Sequence, residues 1–130
     1  MIHLDFHSSQ PIYEQIITQY KYLLLQGYLK EGDAIPSVRR LAMELDITPG
    51  TVAKAYRELE QQGLIATVRG KGTFIAGIPK APPDAGVIDR VKEELQTLCM
   101  ELIYQGLARD DIQKLMEEIL EKLQGGKPND

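Results

Sequence analysis

Apolar residues along the first half of the chain recur with the period of an α-helix. After Pro11 they appear at steps of three and four residues, which predicts a helix of about sixteen residues that ends at Gly27. The stretch from Leu29 to Pro36 loses this period and is rich in turn formers. Because a proline disfavours helix at the residue before it, this stretch is predicted to be extended.

Two shorter apolar stripes follow, each introduced by a residue that commonly caps helices. Ser37 precedes the first stripe, which spans barely three turns, and Thr48 and Pro49 precede the second, which ends at Gly63. The inward positions predicted for these helices are Val38, Leu41, Ala42 and Leu45, then Val52, Ala55, Tyr56 and Leu59. A short helix, a tight turn and a second helix of this length are typical of a helix-turn-helix.

A glycine-rich basic turn lies between two β-prone runs, residues 64–68 and 73–76, and this pattern predicts a β-hairpin. A helix, a helix-turn-helix and a hairpin in this order indicate a winged helix-turn-helix DNA-binding domain over residues 1–77, the head. Residues 78–86 contain three prolines and are predicted to be a linker.

A seam of apolar residues runs through residues 87–130, the tail, with the spacing of packed helices. Gly106 interrupts the seam, so the pattern predicts a two-helix hairpin, followed by a frayed end at residues 125–130. The seam residues are Ile88, Val91, Leu95, Leu98, Leu102, Ile112, Met116, Ile119 and Leu123. Because such a hairpin leaves its seam exposed, we expect homodimerisation through the tail; the alternative, a tail folded back on its own head, is disfavoured by the proline-rich linker.

The predicted fold class is therefore mostly α with a small β-hairpin: a winged helix-turn-helix head plus a C-terminal two-helix dimerisation hairpin. The net charge of −4 argues at first against a polyanionic partner, but its distribution reverses that inference. Residues 1–79 carry eight basic and eight acidic residues, whereas residues 80–130 carry seven and eleven. Any nucleic-acid surface therefore belongs to the first half of the chain.

Location follows from three further features of the chain. It contains no apolar run of the roughly 20 residues that span a bilayer. It shows no signal-peptide pattern, and Cys99 is its single cysteine. These features predict a cytoplasmic protein without a membrane partner.

A winged helix binds DNA by placing the second helix of its helix-turn-helix in the major groove and its hairpin along the backbone or minor groove. The residues of that helix predicted to face a double-stranded DNA operator are Thr48, Pro49, Gly50, Thr51 and Lys54. Hydroxyl groups and the lysine ammonium can reach phosphates or base edges, and a helix N-terminus attracts phosphate. Thr48 is expected to cap the helix in any case, and a capping role alone is the competing interpretation.

Arg39 and Arg40 lie in the first turn of the preceding helix, where the helix dipole disfavours cations. Their position suggests an anionic partner, with solvated charge or pairing with Glu44 or Asp33 as the alternatives. The hairpin turn is also predicted to contact DNA, because its glycines allow close backbone approach and its cations neutralise phosphate. The residues of this turn are Arg69, Gly70, Lys71 and Gly72.

Other reactive residues have simpler interpretations. His3 and His7 lack further ligands at metal-binding spacing, and Cys99, beside Leu98, is expected to be packed rather than redox-active. No catalytic constellation, metal site or cofactor is predicted. The enzymatic alternative, the severed head of a fused aminotransferase-type regulator, lacks a catalytic domain and a lysine in a cofactor-like context.

Four sequence blocks, in order, resemble the DNA-binding head of the GntR family. They are residues 11–16 (PIYEQI), 32–42 (GDAIPSVRRLA), 51–60 (TVAKAYRELE) and 63–74, which ends in RGKGTF. The resemblance covers residues 9–77 and implies DNA contacts at Arg39, Thr48, Gly50, Thr51, Arg69, Gly70 and Lys71. Other branches of the family carry arginines where this chain has Pro49 and Ala53, so those base contacts do not carry over and a different operator sequence is expected.

The short tail resembles that of the YtrA-like subfamily, which implies regulation of a neighbouring transporter operon. We therefore expect a repressor of its own operon that binds an inverted-repeat operator as a homodimer. A small-molecule effector is left open; residues 87–130 are too few to enclose a metabolite within one chain, so an effector is expected at the dimer interface or between head and tail. The competing hypothesis is a protein-interaction module that uses the winged helix as a scaffold and has no DNA role.

Overall fold

The structure of the protein is a computed structural model that describes residues 1–78 and 82–124. The described part contains five helices and three short strands, which confirms the mostly α fold class. These are α1 (Ile12–Leu25), β1 (Ala34–Ile35), α2 (Val38–Leu45), α3 (Pro49–Gln61), β2 (Ile65–Val68), β3 (Gly72–Ile75), α4 (Ala85–Tyr104) and α5 (Arg109–Leu123). The chain separates into two compact units, Met1–Pro79, which contains the head, and Lys80–Asp130, which contains the tail.

The core of the head lies where α1, α2 and the sheet meet α3. The positions predicted to face inward from α3 are all buried, and Ile16 and Tyr20 of α1 pack against them. Burying each large aliphatic side chain of this kind stabilises the fold by about 1.5–3 kcal/mol. The apolar period of the sequence thus gives the correct faces of these helices.

The sheet has three antiparallel strands in the order β1-β3-β2. Strands β2 and β3 form the predicted hairpin. The segment before Pro36, predicted only to be extended, supplies β1, which places Ile35 opposite Thr73 of β3. Ile35 is buried in the core, so the short edge strand also contributes to the packing of the head.

Two glutamines of α1 hold the N-terminal segment against the helix. Gln15 Oε1 accepts the N–H of Asp5 at 2.9 Å and Gln15 Nε2 donates to the carbonyl of Asp5 at 3.0 Å. Gln19 makes the same pair of bonds with His3. Gln15 and Gln19 are four residues apart on a helix, about 6 Å, and His3 and Asp5 are two residues apart on an extended segment, about 6.6 Å, so the two pairs of bonds fit together. The segment therefore lies along α1 and buries Ile2 in the core.

The helix α4 begins earlier than the sequence suggested. The predicted linker, residues 78–86, overlaps its first two residues, because Asp84 caps the helix by accepting the N–H of Gly86 at 2.9 Å. Residues 79–81 of that linker and the end predicted to be frayed, residues 125–130, lie outside the described residues.

Candidate nucleic-acid interface

The helices α2 and α3, with the turn between them, form the predicted helix-turn-helix. Ser37 caps α2, since its Oγ accepts the N–H of Arg40 at 3.1 Å. Asp46 then takes a left-handed conformation with φ of 56°, and the next N–H, that of Ile47, bonds back to the carbonyl of Ala42 at 3.0 Å. This arrangement ends α2 abruptly and redirects the chain into α3.

Replacing Asp46 with asparagine is expected to raise the free energy of unfolding by about 0.3–1 kcal/mol. A carboxylate at a helix C-terminus opposes the helix dipole, while asparagine tolerates the left-handed conformation and removes the charge. Urea denaturation measures the change. The matched variant Asp46→Val keeps the site neutral but adds a branched Cβ, and it should lower stability instead. An Asp46→Asn protein no more stable than the parent would contradict this account of the turn.

Thr48 occupies the N-cap position of α3, but its side chain does not cap the helix. Its Oγ1 lies 3.0 Å from the Oγ1 of Thr51, while the backbone N–H of Thr51 bonds to the carbonyl of Thr48 at 3.2 Å. A capping threonine accepts the N–H of the second or third helical residue, but here the Thr51 N–H bonds to the Thr48 carbonyl and the Thr48 hydroxyl to the Thr51 hydroxyl. The predicted capping bond is therefore wrong, and the two hydroxyls form a pair at the exposed start of the helix.

The outward face of α3 carries the polar residues that the sequence placed there. Gly50, Lys54 and Arg57 are exposed, and Thr51 is half-buried. A Cβ added at Gly50 would meet nothing within 4 Å, so the space beside the first turn is open. The start of α3 can therefore be approached closely by a large ligand.

The inward face of α3 is fixed by a buried tyrosine pair. The Oη of Tyr56 donates to the carbonyl of Pro36 at 2.7 Å, and the Oη of Tyr20 lies 2.9 Å from the Oη of Tyr56. Because a carbonyl can only accept, the proton between the two hydroxyls belongs to Tyr20. Burial raises the pKa of both tyrosines above the ordinary value, so both remain neutral donors at physiological pH.

The two arginines of α2 differ in their surroundings. Arg40 Nε lies 3.1 Å from Glu44 Oε2, in the pairing that the sequence allowed as an alternative to DNA contact. Both side chains of that pair are largely exposed, so it is worth little in water. Arg39 is exposed, and within residues 1–78 and 82–124 its guanidinium has no ion pair.

The turn of the hairpin presents its two cations to solvent. Residues 68–71 form a tight turn closed by a bond from the N–H of Lys71 to the carbonyl of Val68 at 2.9 Å. Gly70 and Gly72 have φ of 78° and 123°, which L side chains rarely adopt. Arg69 and Lys71 are exposed. The glycines are thus needed for the shape of the turn.

One contact at this surface was not foreseen. Lys54 Nζ lies 4.0 Å from the centroid of the Tyr13 ring, within the range of a cation–π interaction. Tyr13 is in the first turn of α1, far from Lys54 in sequence, and no helical period connects the two residues. Sequence spacing reports neighbours within one helix, so it could not have found this pair.

The seam that the sequence identified is exposed at six positions and half-buried at three, namely Leu102, Ile112 and Met116. No residue of α4 or α5 is buried. A groove of about 390 Å³ lies between these helices, and six of the nine predicted seam residues line it together with Leu115 and the half-buried Cys99. Those six are Leu95, Leu98, Leu102, Ile112, Met116 and Ile119. Ile88, Val91 and Leu123 lie beyond the ends of the groove and are also exposed.

Neither a metal site nor a membrane-spanning helix is found in the described part of the chain. Residues 1–78 and 82–124 contain no group of three or more histidine, cysteine or carboxylate side chains that could hold a metal ion. Within the same residues no helix is long and apolar enough to cross a membrane.

Known proteins share both the sequence and the fold. The profile of the family described as "Bacterial regulatory proteins, gntR family" matches residues 12–75. The HTH-type transcriptional repressor YtrA of Bacillus subtilis (strain 168) is 45% identical over 130 residues, and the match covers 100% of both chains. A transcriptional antiterminator from Listeria monocytogenes EGD-e has a TM-score of 0.87 at 36% identity, covering 100% of this chain and 97% of that one.

A further solved structure contains DNA. It is AraR(DBD) in complex with operator ORX1, with a TM-score of 0.51 at 28% identity, covering 58% of this chain and 95% of that one. The family match, the sequence relative and the DNA complex are all DNA-binding regulators by their descriptions, in agreement with a winged helix-turn-helix head. The chain therefore belongs to the GntR family of bacterial regulatory proteins and is a DNA-binding transcriptional regulator rather than an enzyme.

Proposed function

We propose that this protein is a transcriptional repressor that binds an inverted-repeat operator in double-stranded DNA as a homodimer, in the cytoplasm. The observation that carries the proposal is the exposed first half of α3, with open space beside Gly50 and an unneutralised lysine one turn further on. The repressor name of the Bacillus subtilis relative and the operator in the AraR complex support it.

The start of α3 supplies contacts in the major groove. Thr48, Gly50 and Thr51 bring hydroxyls and backbone N–H groups to phosphates, and Lys54 reaches a base edge or a further phosphate. Pro49 keeps the helix start narrow. Contacts of α3 with base edges then determine sequence specificity, and the rest of the head contributes contacts with phosphates, which do not depend on sequence.

The remaining contacts come from α2 and the hairpin turn. Arg39 and the turn residues Arg69 and Lys71 contact DNA directly, and Gly70 and Gly72 allow the turn to approach the backbone. Arg40 is a weaker contact, because its charge is shared with Glu44.

Dimerisation occurs through the tail. The proposed domain division is a head at residues 1–77, a linker at 78–86, whose last two residues already belong to α4, and a dimerisation tail at 87–130. Neither α4 nor α5 has a buried residue, so the apolar groove between them stays uncovered within one chain. The tail of a second copy can cover that groove by two-fold symmetry. Two heads then present two copies of α3 to the two half-sites of a palindrome.

The physiological target is the protein's own operon, together with a neighbouring transporter. This part of the proposal rests on the tail and on the full-length similarity to YtrA. It predicts that transporter genes lie directly downstream and that their transcripts rise when the regulator gene is deleted.

Binding to DNA is tested with a labelled duplex from the region upstream of the protein's own gene and a scrambled duplex of equal length and composition. We expect tight, strongly salt-dependent binding to the first and weaker binding to the second. Arg39→Ala should weaken binding to the upstream duplex by about 1–3 kcal/mol if Arg39 contacts a base.

Arg40→Ala is the matched control for this variant, because it removes the neighbouring charge, which Glu44 already engages. It should weaken binding less than Arg39→Ala does. Equal losses on both duplexes would reduce Arg39 to a phosphate contact. If no duplex is retained even at low salt, the repressor proposal is wrong and the protein-interaction module becomes the better hypothesis.

A further inference from the structure

The contact between Lys54 and Tyr13 joins the outward face of α3 to the start of α1. The lysine ammonium lies 4.0 Å from the ring centroid, and the ring itself is half-buried. The hydroxyl of Tyr13 donates to Glu14 Oε2 at 3.3 Å. An exposed lysine of a surface helix is thus held by an aromatic ring on a different helix.

Lys54 has an obvious alternative partner that it does not use. Glu58 lies four residues further along α3, at the spacing of a helical ion pair. Within residues 1–78 and 82–124 the ion pairs are those of Arg40 with Glu44 and of Arg90 with Glu94, and Lys54 takes part in neither. A carboxylate in direct contact would have neutralised the lysine charge, whereas Glu14 and Glu58 lie near the Tyr13 ring without forming an ion pair with Lys54.

An aromatic partner also leaves the hydrogen-bonding capacity of the ammonium intact. Lysine has three N–H donors and about 2 kcal/mol of rotamer entropy to lose when it is fixed in a complex. A side chain that is already restrained in the free protein loses less of that entropy on binding. Restraint without neutralisation is what a lysine needs in order to donate to an anionic or electron-rich acceptor.

We propose that Tyr13 is a positioning residue for DNA recognition: its ring restrains the exposed ammonium of Lys54, which stays able to donate to an acceptor of the DNA. The inference rests on the proposed contact between Lys54 and DNA. It adds α1, which carries none of the proposed DNA contacts, to the recognition surface.

The contact itself is tested by NMR on the free full-length protein. The ring current of Tyr13 should shift the ε-methylene protons of Lys54 upfield in the parent and in Tyr13→Phe, which keeps the ring. The shift should vanish in Tyr13→Leu. Unshifted Lys54 protons in the parent would overturn the proposal without reference to DNA.

The role in binding is tested with the upstream duplex and a double-mutant cycle. Tyr13→Leu should weaken binding about two- to ten-fold, the range expected when one freed lysine side chain must be ordered on binding, and Tyr13→Phe should leave it within two-fold. In the Lys54→Ala background, Tyr13→Leu should cause no further loss. This rescue by phenylalanine and this loss of additivity would not arise from a purely structural role of Tyr13.

The outcomes separate this inference from the proposed function. If Tyr13→Leu causes the same loss with and without Lys54, or if Lys54→Ala binds as the parent does, the positioning role is wrong while operator binding through Arg39 stands. If the parent retains no duplex, the proposed function itself fails, and the positioning role fails with it.

Discussion

Replacing Tyr56 with phenylalanine is expected to lower the free energy of unfolding by about 1–3 kcal/mol, although the ring and nearly all of its packing remain. The lost hydroxyl bridges the carbonyl of Pro36 and the hydroxyl of Tyr20. Tyr20 is 1% exposed, so its hydroxyl loses its partner at a position almost closed to solvent. Stranding a buried polar group costs about 1–3 kcal/mol, more than the net value of an average hydrogen bond. Urea denaturation followed by far-UV circular dichroism measures the effect.

The matched control is Tyr28→Phe, which removes a hydroxyl from a side chain that is 72% exposed and should change stability by less than about 0.5 kcal/mol. If Tyr56→Phe is as mild as this control, the buried tyrosine pair does not hold α3 in place.

The same tyrosine pair also makes the stability of the protein depend on pH. Burial raises the pKa of Tyr20 and Tyr56, whereas tyrosines in the unfolded chain ionise near pH 10.

The consequence of that difference lies on the alkaline side. Above about pH 10 the unfolded chain binds fewer protons than the folded one, so stability should fall as the pH rises. Below pH 10 the two states bind these protons equally, and the pair makes no pH-dependent contribution. Tyr56→Phe removes one of the two groups, so its stability should fall less steeply with alkaline pH than that of the parent.

The elements of the head could be predicted from sequence because each combines a local signal with an apolar period. Ser37 caps α2 as its residue type suggests, and the inward positions of α3 are buried as their spacing requires. The glycines around Lys71 mark the turn of the hairpin in the same way, since their backbone angles are ones that other residues avoid.

What sequence reasoning missed depends on partners distant along the chain. The strand β1 forms because Ile35 finds β3 some forty residues later, and two residues carry too little pattern to announce a strand. The pairs Tyr20–Tyr56 and Tyr13–Lys54 each join α1 to α3. Even the failed cap at Thr48 follows from its neighbours, because the Thr51 N–H that it would have bonded is already engaged.

The net charge of the whole chain, −4, hides an uneven distribution of charge between its two parts. The four excess negative charges all fall in residues 80–130, while the head is balanced and exposes its cations at α2, α3 and the hairpin turn. A uniformly acidic surface would repel DNA at long range, whereas charge segregated in this way affects mainly the tail. In the proposed dimer, this excess negative charge lies in the part of each chain that contacts the other.

Placing a glutamate at Leu98 is expected to convert the dimer into a monomer and to weaken binding to the upstream duplex about a hundred-fold or more. Leu98 is 55% exposed within one chain and lines the tail groove, so the charge is tolerated by the single chain. In the proposed dimer the same carboxylate would be buried against apolar side chains, at a cost of several kcal/mol. Separate heads would lose the gain of about 10²–10⁴ that comes from binding two half-sites at once.

The control for this variant is Met100→Glu, two residues further along α4. Met100 is 51% exposed, close to the exposure of Leu98, but two positions on a helix differ by about 200°, so it faces away from the groove. Analytical ultracentrifugation should report a dimer for the parent and for Met100→Glu and a monomer for Leu98→Glu. Affinity for the upstream duplex should be high for the two dimers and low for the monomer.

Two other outcomes would place the interface elsewhere. If both variants remain dimeric, the copies meet at another surface; if Met100→Glu alone dissociates, the interface lies on the opposite face of α4. A monomeric Leu98→Glu protein that still bound the upstream duplex as tightly as the parent would show that one head is enough, and the inverted-repeat operator would have to be abandoned.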